Sequence, residues 1–220
     1  MSLSTVSGPF RSLHGFIFGT EANGTTLDPG VMAWSTQDGT IDVGLPNGVT
    51  MQLGQESYYL ARNNTGSDIP NGTVVQFAGA IGNSGRLKMT PALAAAATPP
   101  AYVMGVTTHD VPDGTDGYVT EFGLVRSVDT RGGAEDWEDG DILYVSGTTA
   151  GAMTKVTPLT PIPKIMIAAV TNAATNGNIF VRPTFGESLA GLHDVRITSP
   201  QNGQVLKYNA SGGYWYNTAP

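Results

Sequence analysis

Three histidines, His14, His109 and His193, are the chain's imidazoles, and two of them precede aspartates as His109-Asp110 and His193-Asp194. A His-Asp pair serves metal-dependent phosphohydrolases, which set it in a helical scaffold with further His and Asp ligands. A three-histidine zinc site needs the start, middle and end of this chain to meet. Gly186-Glu187-Ser188-Leu189-Ala190 approaches a nucleophile elbow, but Ala stands where the last Gly belongs. It also lacks the strand-to-helix turn that strains the serine.

The densest acidic run is Glu135-Asp136-Trp137-Glu138-Asp139-Gly140-Asp141. Oxygen ligands at such density can hold Ca²⁺, yet the ligand order of an EF-hand loop is missing. The run reads as a solvated turn before a strand, anchored by Trp137. Glycosidase chemistry needs two facing carboxylates, and the spacing singles out no pair. Tyr214-Trp215-Tyr216 near the C-terminus can stack on a glycan or pack between subunits. With Cys 0, thiolate metal sites, disulfides and cysteine nucleophiles are excluded. These observations name no catalytic, metal or cofactor-binding residue.

The elements that would position such groups are strands. The chain has 220 residues, with Gly 29 and Pro 14, and only 13% of residues are charged. That combination favours short strands and glycine turns over long charged helices. Net charge is −7 with no basic tract, so neither a nucleic-acid backbone nor an anionic membrane surface is an expected partner. No apolar run reaches the roughly 20 residues of a membrane helix. Met1–Phe10 shows neither a basic n-region nor an apolar h-region, so a signal peptide is not expected.

Alternating runs at Thr40–Leu45, Val49–Leu53, Thr73–Phe77, Asp141–Val145 and Gln204–Tyr208 predict half-buried strands. Each follows an Asp-Gly or Asn-Gly step, a hairpin signal. Further strands are expected at Tyr58–Arg62, Leu87–Thr90, Tyr102–Thr107, Gly117–Arg126, Lys164–Thr171 and Asn178–Pro183. Pro91–Thr98, with its alanine run, is the one helical candidate. The expected fold is therefore all-β: a small β-barrel or sandwich with an extended N-terminal arm and a C-terminal β-hairpin tail. The arm spans 1–30, the core domain 31–185 and the tail 186–220. Val74, Phe77, Val103, Val119, Leu143, Val145, Ile167 and Val181 are expected to face one core.

From Met32 onward the motifs fall in a recognisable order. They run through Gly39-Thr40-Ile41-Asp42-Val43-Gly44-Leu45, Val49-Thr50-Met51-Gln52-Leu53, and Ile69-Pro70-Asn71-Gly72-Thr73-Val74-Val75. Next come Met104-Gly105-Val106 and Gly140-Asp141-Ile142-Leu143-Tyr144-Val145. The last are Gly191-Leu192-His193-Asp194-Val195-Arg196-Ile197-Thr198-Ser199-Pro200 and Gly203-Gln204-Val205-Leu206-Lys207-Tyr208. In this order the chain resembles tailed-bacteriophage virion proteins of the tail-fibre, head-fibre and capsid-decoration type. The middle is also similar to capsid-cement barrels.

The resemblance implies a non-enzymatic structural component made in the host cytoplasm and placed on the virion surface. It implies a homotrimer and other virion proteins of capsid, neck or tail as partners. Many such fibres continue into a shaft or receptor-binding tip. An end at Pro220 favours an adaptor, a short fibre or a decoration protein. The alternative is a host-glycan-binding module or a depolymerase-associated adaptor of the tail, with a host surface glycan as partner. Expected assembly contacts are Phe16, Ile17 and Phe18 on the arm, and Tyr214, Trp215 and Tyr216 on the tail. Three large apolar side chains on a polar arm are a liability unless covered.

Overall fold

Two of the glycine steps fold as expected. Strands β1 (Met32–Ser35) and β2 (Thr40–Gly44) pair antiparallel around Asp38-Gly39. Strand β3 (Thr50–Gln52) then returns along β2 after Asn47-Gly48, where both residues have positive φ. The computed structural model describes residues 17–20, 26–95, 102–186 and 189–220. The chain divides into two compact units with the break between Gln55 and Glu56. The β1–β3 sheet therefore groups with the segment before it, where composition alone places the change of texture at Val31. Within this N-terminal unit, Leu27, Ala33 and Val49 are buried.

The second unit begins with strands β4 (Ser57–Asn63), β5 (Val74–Ile81), β6 (Arg86–Pro91), β7 (Val103–Thr107) and β8 (Asp116–Val128). These five close on themselves in the circuit β8-β4-β6-β5-β7-β8, a β-barrel. The β4–β6 contact is parallel and the rest are antiparallel. Ala61, Ile69, Val75, Met89, Met104, Val111 and Val119 form one buried cluster among these strands and the loops that join them. Closure depends on Gly105 of β7, at φ +150, where an added Cβ would lie 2.0 Å from the Thr120 carbonyl oxygen. Only glycine lets the two backbones approach so closely.

Strand β8 is long enough to leave the barrel. Its second half pairs with β12 (Gly177–Phe185), followed by β11 (Ile165–Asn172), β9 (Ile142–Val145) and β10 (Met153–Thr154). Val125, Leu143, Val145, Ile165, Ile167, Val170, Ile179 and Val181 from this outer sheet cluster with Val74, Val103 and Val106 of the barrel. Strand β7 and the first two residues of β5 are thus covered on both faces, so Val74 and Val75 are buried in different clusters. A strand buried on both sides reads as an apolar run rather than an alternation. The single core expected from sequence is in fact two.

Phe77 corrects that expectation further, because it is 39% exposed. Strand β5 shifts register between Val75 and Gln76 against β7, and between Phe77 and Ala80 against β6. The alternation is broken there, and Phe77 lies edge-on to Tyr102 at 6.3 Å instead. The helical candidate is also overturned. Pro91 ends β6, and Ala92 to Ala95 are not helical. The Ala92 and Ala94 amides donate to Val74 O (2.8 Å) and Ser146 O (2.9 Å), so small side chains serve a close-packed extended segment. Residues 96–98 of that candidate lie outside the described residues.

Three glycine steps do not make hairpins. Asn71-Gly72, Asp139-Gly140 and Asn202-Gly203 each open a strand that pairs elsewhere than with the strand before it. In the tail, β14 (Val205–Asn209) and β15 (Tyr214–Thr218) form the hairpin, and β13 (Val195–Arg196) adds in parallel to β15. Asn209 shapes the turn: its Oδ1 accepts from the Gly212 amide at 3.0 Å, and its backbone oxygen accepts from Gly213 at 2.8 Å.

Candidate functional site

The residues that suggested chemistry are largely occupied by structure. His109 is buried, with Nδ1 2.6 Å from the Asp110 carbonyl oxygen, while Nε2 accepts the Tyr118 amide at 3.1 Å. Both ring nitrogens are thus engaged by backbone groups. The Asp110 carboxylate points elsewhere and accepts from the Asn71 amide at 2.8 Å. His193 is exposed, and the Asp194 carbonyl accepts from the Trp215 amide at 2.7 Å. His14, Glu187 and Ser188 lie outside the described residues. Among the described residues, no three His, Asp or Glu side chains group closely enough to hold a metal ion.

The acidic run is a pinned turn. Glu135 accepts from Trp137 Nε1 (2.8 Å), Thr154 Oγ1 (2.5 Å) and the Lys155 amide (2.7 Å). Burial opposes its ionisation, but those hydrogen bonds outweigh burial and hold the carboxyl below its ordinary value. Asp141 accepts from the Glu138 amide and from Lys155 Nζ, and Asp139 accepts from the Ala173 amide. Trp137 packs against the outer core, as an anchor.

Of the expected contact residues, Phe16 lies outside the described residues. Ile17 is wholly exposed and Phe18 half-buried. Just beyond them, Thr20 bridges to Trp34, and the Trp34 amide donates to Gly19 O at 2.9 Å. In the tail, strand alternation separates the aromatic triplet. Trp215 sits opposite Tyr208, with ring centroids 5.2 Å apart, and shares that face with Leu206. Tyr214 and Tyr216 take the other face, where the Arg196 guanidinium lies 3.7 Å from the Tyr214 ring centre. Leu206, Tyr208 and Trp215 are all exposed, and so are Leu189 and Leu192 just before β13.

A concave site lies where β8 passes from the barrel to the outer sheet. Strand β8 is bulged there, since Ser57 pairs with Phe122 and Tyr58 with Thr120, leaving Glu121 without an opposite residue. A bulge of this kind re-aims a side chain. Strand β12 parts from β8 at the same level, because its last pair is Val181 with Gly123. Between the diverging strands opens a cleft of about 300 Å³. Buried Val103 and Met104, half-exposed rings of Tyr59, Phe122 and Phe185, and Pro183 supply its apolar lining. Glu121 and Arg182 supply opposite charges. Phe122 is braced edge-to-face by Phe180 at 5.1 Å. Burial, then a hydrogen bond to the Glu121 carboxylate, raise the Tyr59 phenol above its usual value.

Sequence reasoning missed this cleft. Its residues come from four strands, and the bulge at Glu121 leaves no trace in the hydrophobic pattern.

The fold and site together define an all-β chain whose five-stranded barrel carries an outer sheet sharing one strand with it. No protein-family profile and no curated protein matches the chain. Among the described residues, no helix is long and apolar enough to cross a membrane.

Proposed function

We propose that this chain is a non-enzymatic structural component of a bacteriophage virion, a surface fibre or decoration protein that assembles as a homotrimer. The observation that carries the reading is the exposed face of the C-terminal sheet, with Leu206, Tyr208 and Trp215 side by side. A three-stranded sheet of this size has little interior of its own, so such a face is best covered by a partner. A second copy of the same tail supplies a matching surface. Threefold order and the virion itself come from the ordered motifs that resemble phage fibre and decoration proteins. The engagement of His109 and of the acidic run in local hydrogen bonds agrees with a structural role.

The test is made on particles of the phage that encodes the chain. Gradient-purified particles should contain the protein by mass spectrometry, and antibodies against it should label their surface. Deleting residues 1–30 should leave the barrel folded, since its circuit lies within β4–β8, yet abolish incorporation. A protein that stays with soluble host proteins and never sediments with particles would overturn the reading.

A further inference from the structure

We propose that the cleft beside the β8 bulge binds an acidic saccharide, with the sugar carboxylate on Arg182, ring hydroxyls on Glu121, and the apolar sugar face against Phe122 and Phe185. Glu121 and Arg182 line the same cleft, yet Arg182 forms no ion pair with any described residue. Two opposite charges facing one cavity without pairing present a carboxylate acceptor and a guanidinium donor to whatever enters. A guanidinium fork matches a carboxylate in two parallel hydrogen bonds. A carboxylate takes hydroxyl donors, and exposed ring faces offer an apolar platform. These groups together fit a sugar ring bearing an acid group.

Other ligands fit less well. The Tyr59 hydroxyl already donates to Glu121, but a purely apolar ligand would cover the Arg182 guanidinium without giving it an acceptor, which is costly. A nucleic-acid strand needs several cations along its backbone, and the chain carries −7 overall. The volume, about 300 Å³, is at the lower end of small-molecule pockets and suits one or two sugar rings. The site stands independently of the virion reading, because sugar binding by the free protein says nothing about particle assembly.

The experiment titrates the full chain with a β-linked glucuronic-acid disaccharide and, separately, with the matching glucose disaccharide, read by NMR chemical shifts. The acidic sugar should bind saturably with a Kd of about 1 mM, and the neutral one about tenfold more weakly. Arg182→Gln should reduce the acidic sugar to the neutral level, and Phe122→Ala should weaken both about tenfold. Near-UV spectra and melting curves of both variants should match the parent. No saturable shift up to about 20 mM of either sugar overturns the proposal. So does unchanged binding in both variants. Equal binding of the two sugars, indifferent to Arg182→Gln, overturns the acidic class.

Discussion

Arg126 Nη1 lies 3.2 Å from Glu56 Oε1, and the Glu56 side chain is almost wholly buried while Arg126 is partly open to solvent. The same carboxylate accepts from the Leu124 amide at 3.2 Å and from the Tyr58 hydroxyl. Glu56 therefore joins the start of β4 to the middle of β8. Removing the acid takes one acceptor away from three donors. Glu56→Ala should cost about 2–3 kcal/mol in urea unfolding. Arg126→Ala should cost less, about 1 kcal/mol, because two donors still satisfy the carboxylate. Equal costs would show that the pair, rather than the network, holds the junction.

Gly105→Ala tests barrel closure. Its Cβ would meet the Thr120 backbone oxygen at 2.0 Å, and backbone cannot swing aside like a side chain. A loss of about 3 kcal/mol or more is expected. Gly203→Ala is the control. It has positive φ but open space around the new methyl, so about 1 kcal/mol is expected. Thermal melts of the two variants side by side give the difference. Similar melting points would mean that strands β7 and β8 can separate without loss.

Glu135 makes stability depend on pH. Its folded carboxyl ionises below its ordinary value, so the unfolded chain binds the proton more readily. The contribution is present above the unfolded value and fades as pH falls through the lower, folded one. Glu135→Gln should thus be about 1–2 kcal/mol less stable than the parent at about pH 7. That gap should narrow toward about pH 3. Denaturant midpoints at both pH values give the answer, and a gap that grows on acidification would contradict the assignment.

The two faces of the tail sheet should respond differently to truncation. Trp215→Ala removes the centre of the exposed face and should weaken self-association about tenfold or more, by light scattering across concentrations. Tyr214→Ala removes the ring beneath Arg196 and should loosen the sheet itself, by about 0.5–1 kcal/mol. A chain that stays monomeric at every concentration, with the tail readily cleaved by protease, would remove the oligomer from the proposal.

Much of the fold was legible because its strands are short, punctuated by glycine, and apolar where they are buried. Strands such as Thr40–Gly44 and Ile165–Asn172 lie within a residue or two of their expected bounds. What misled was local signal overridden by distant pairing. Asn71-Gly72 looks like a hairpin turn, yet β4 pairs with β6 and β8, not β5. Ala92–Ala95 looks helical by propensity, yet small residues were needed where the chain presses on Ser146. Phe77 sits in an alternating run, but a register shift turned it outward. The cleft was invisible because the grouping of Tyr59, Glu121, Phe122 and Arg182 is a property of sheet divergence, not of any one segment.

Strand β8 also sets an order of events during synthesis. Among the described residues strand β4 pairs with β6 and β8, and its β8 partners lie some distance downstream, as in the Tyr59–Val119 pair. A nascent chain that has released β4 through β7 still lacks the strand that closes the ring until β8 clears the ribosome. The outer sheet then waits in turn for β12, the last strand to join β8. Pairings of such long separation make folding slow relative to local structure. The vulnerable interval for this chain is therefore the time between β4 and β8, when a neighbouring chain's edge can complete the ring in place of its own.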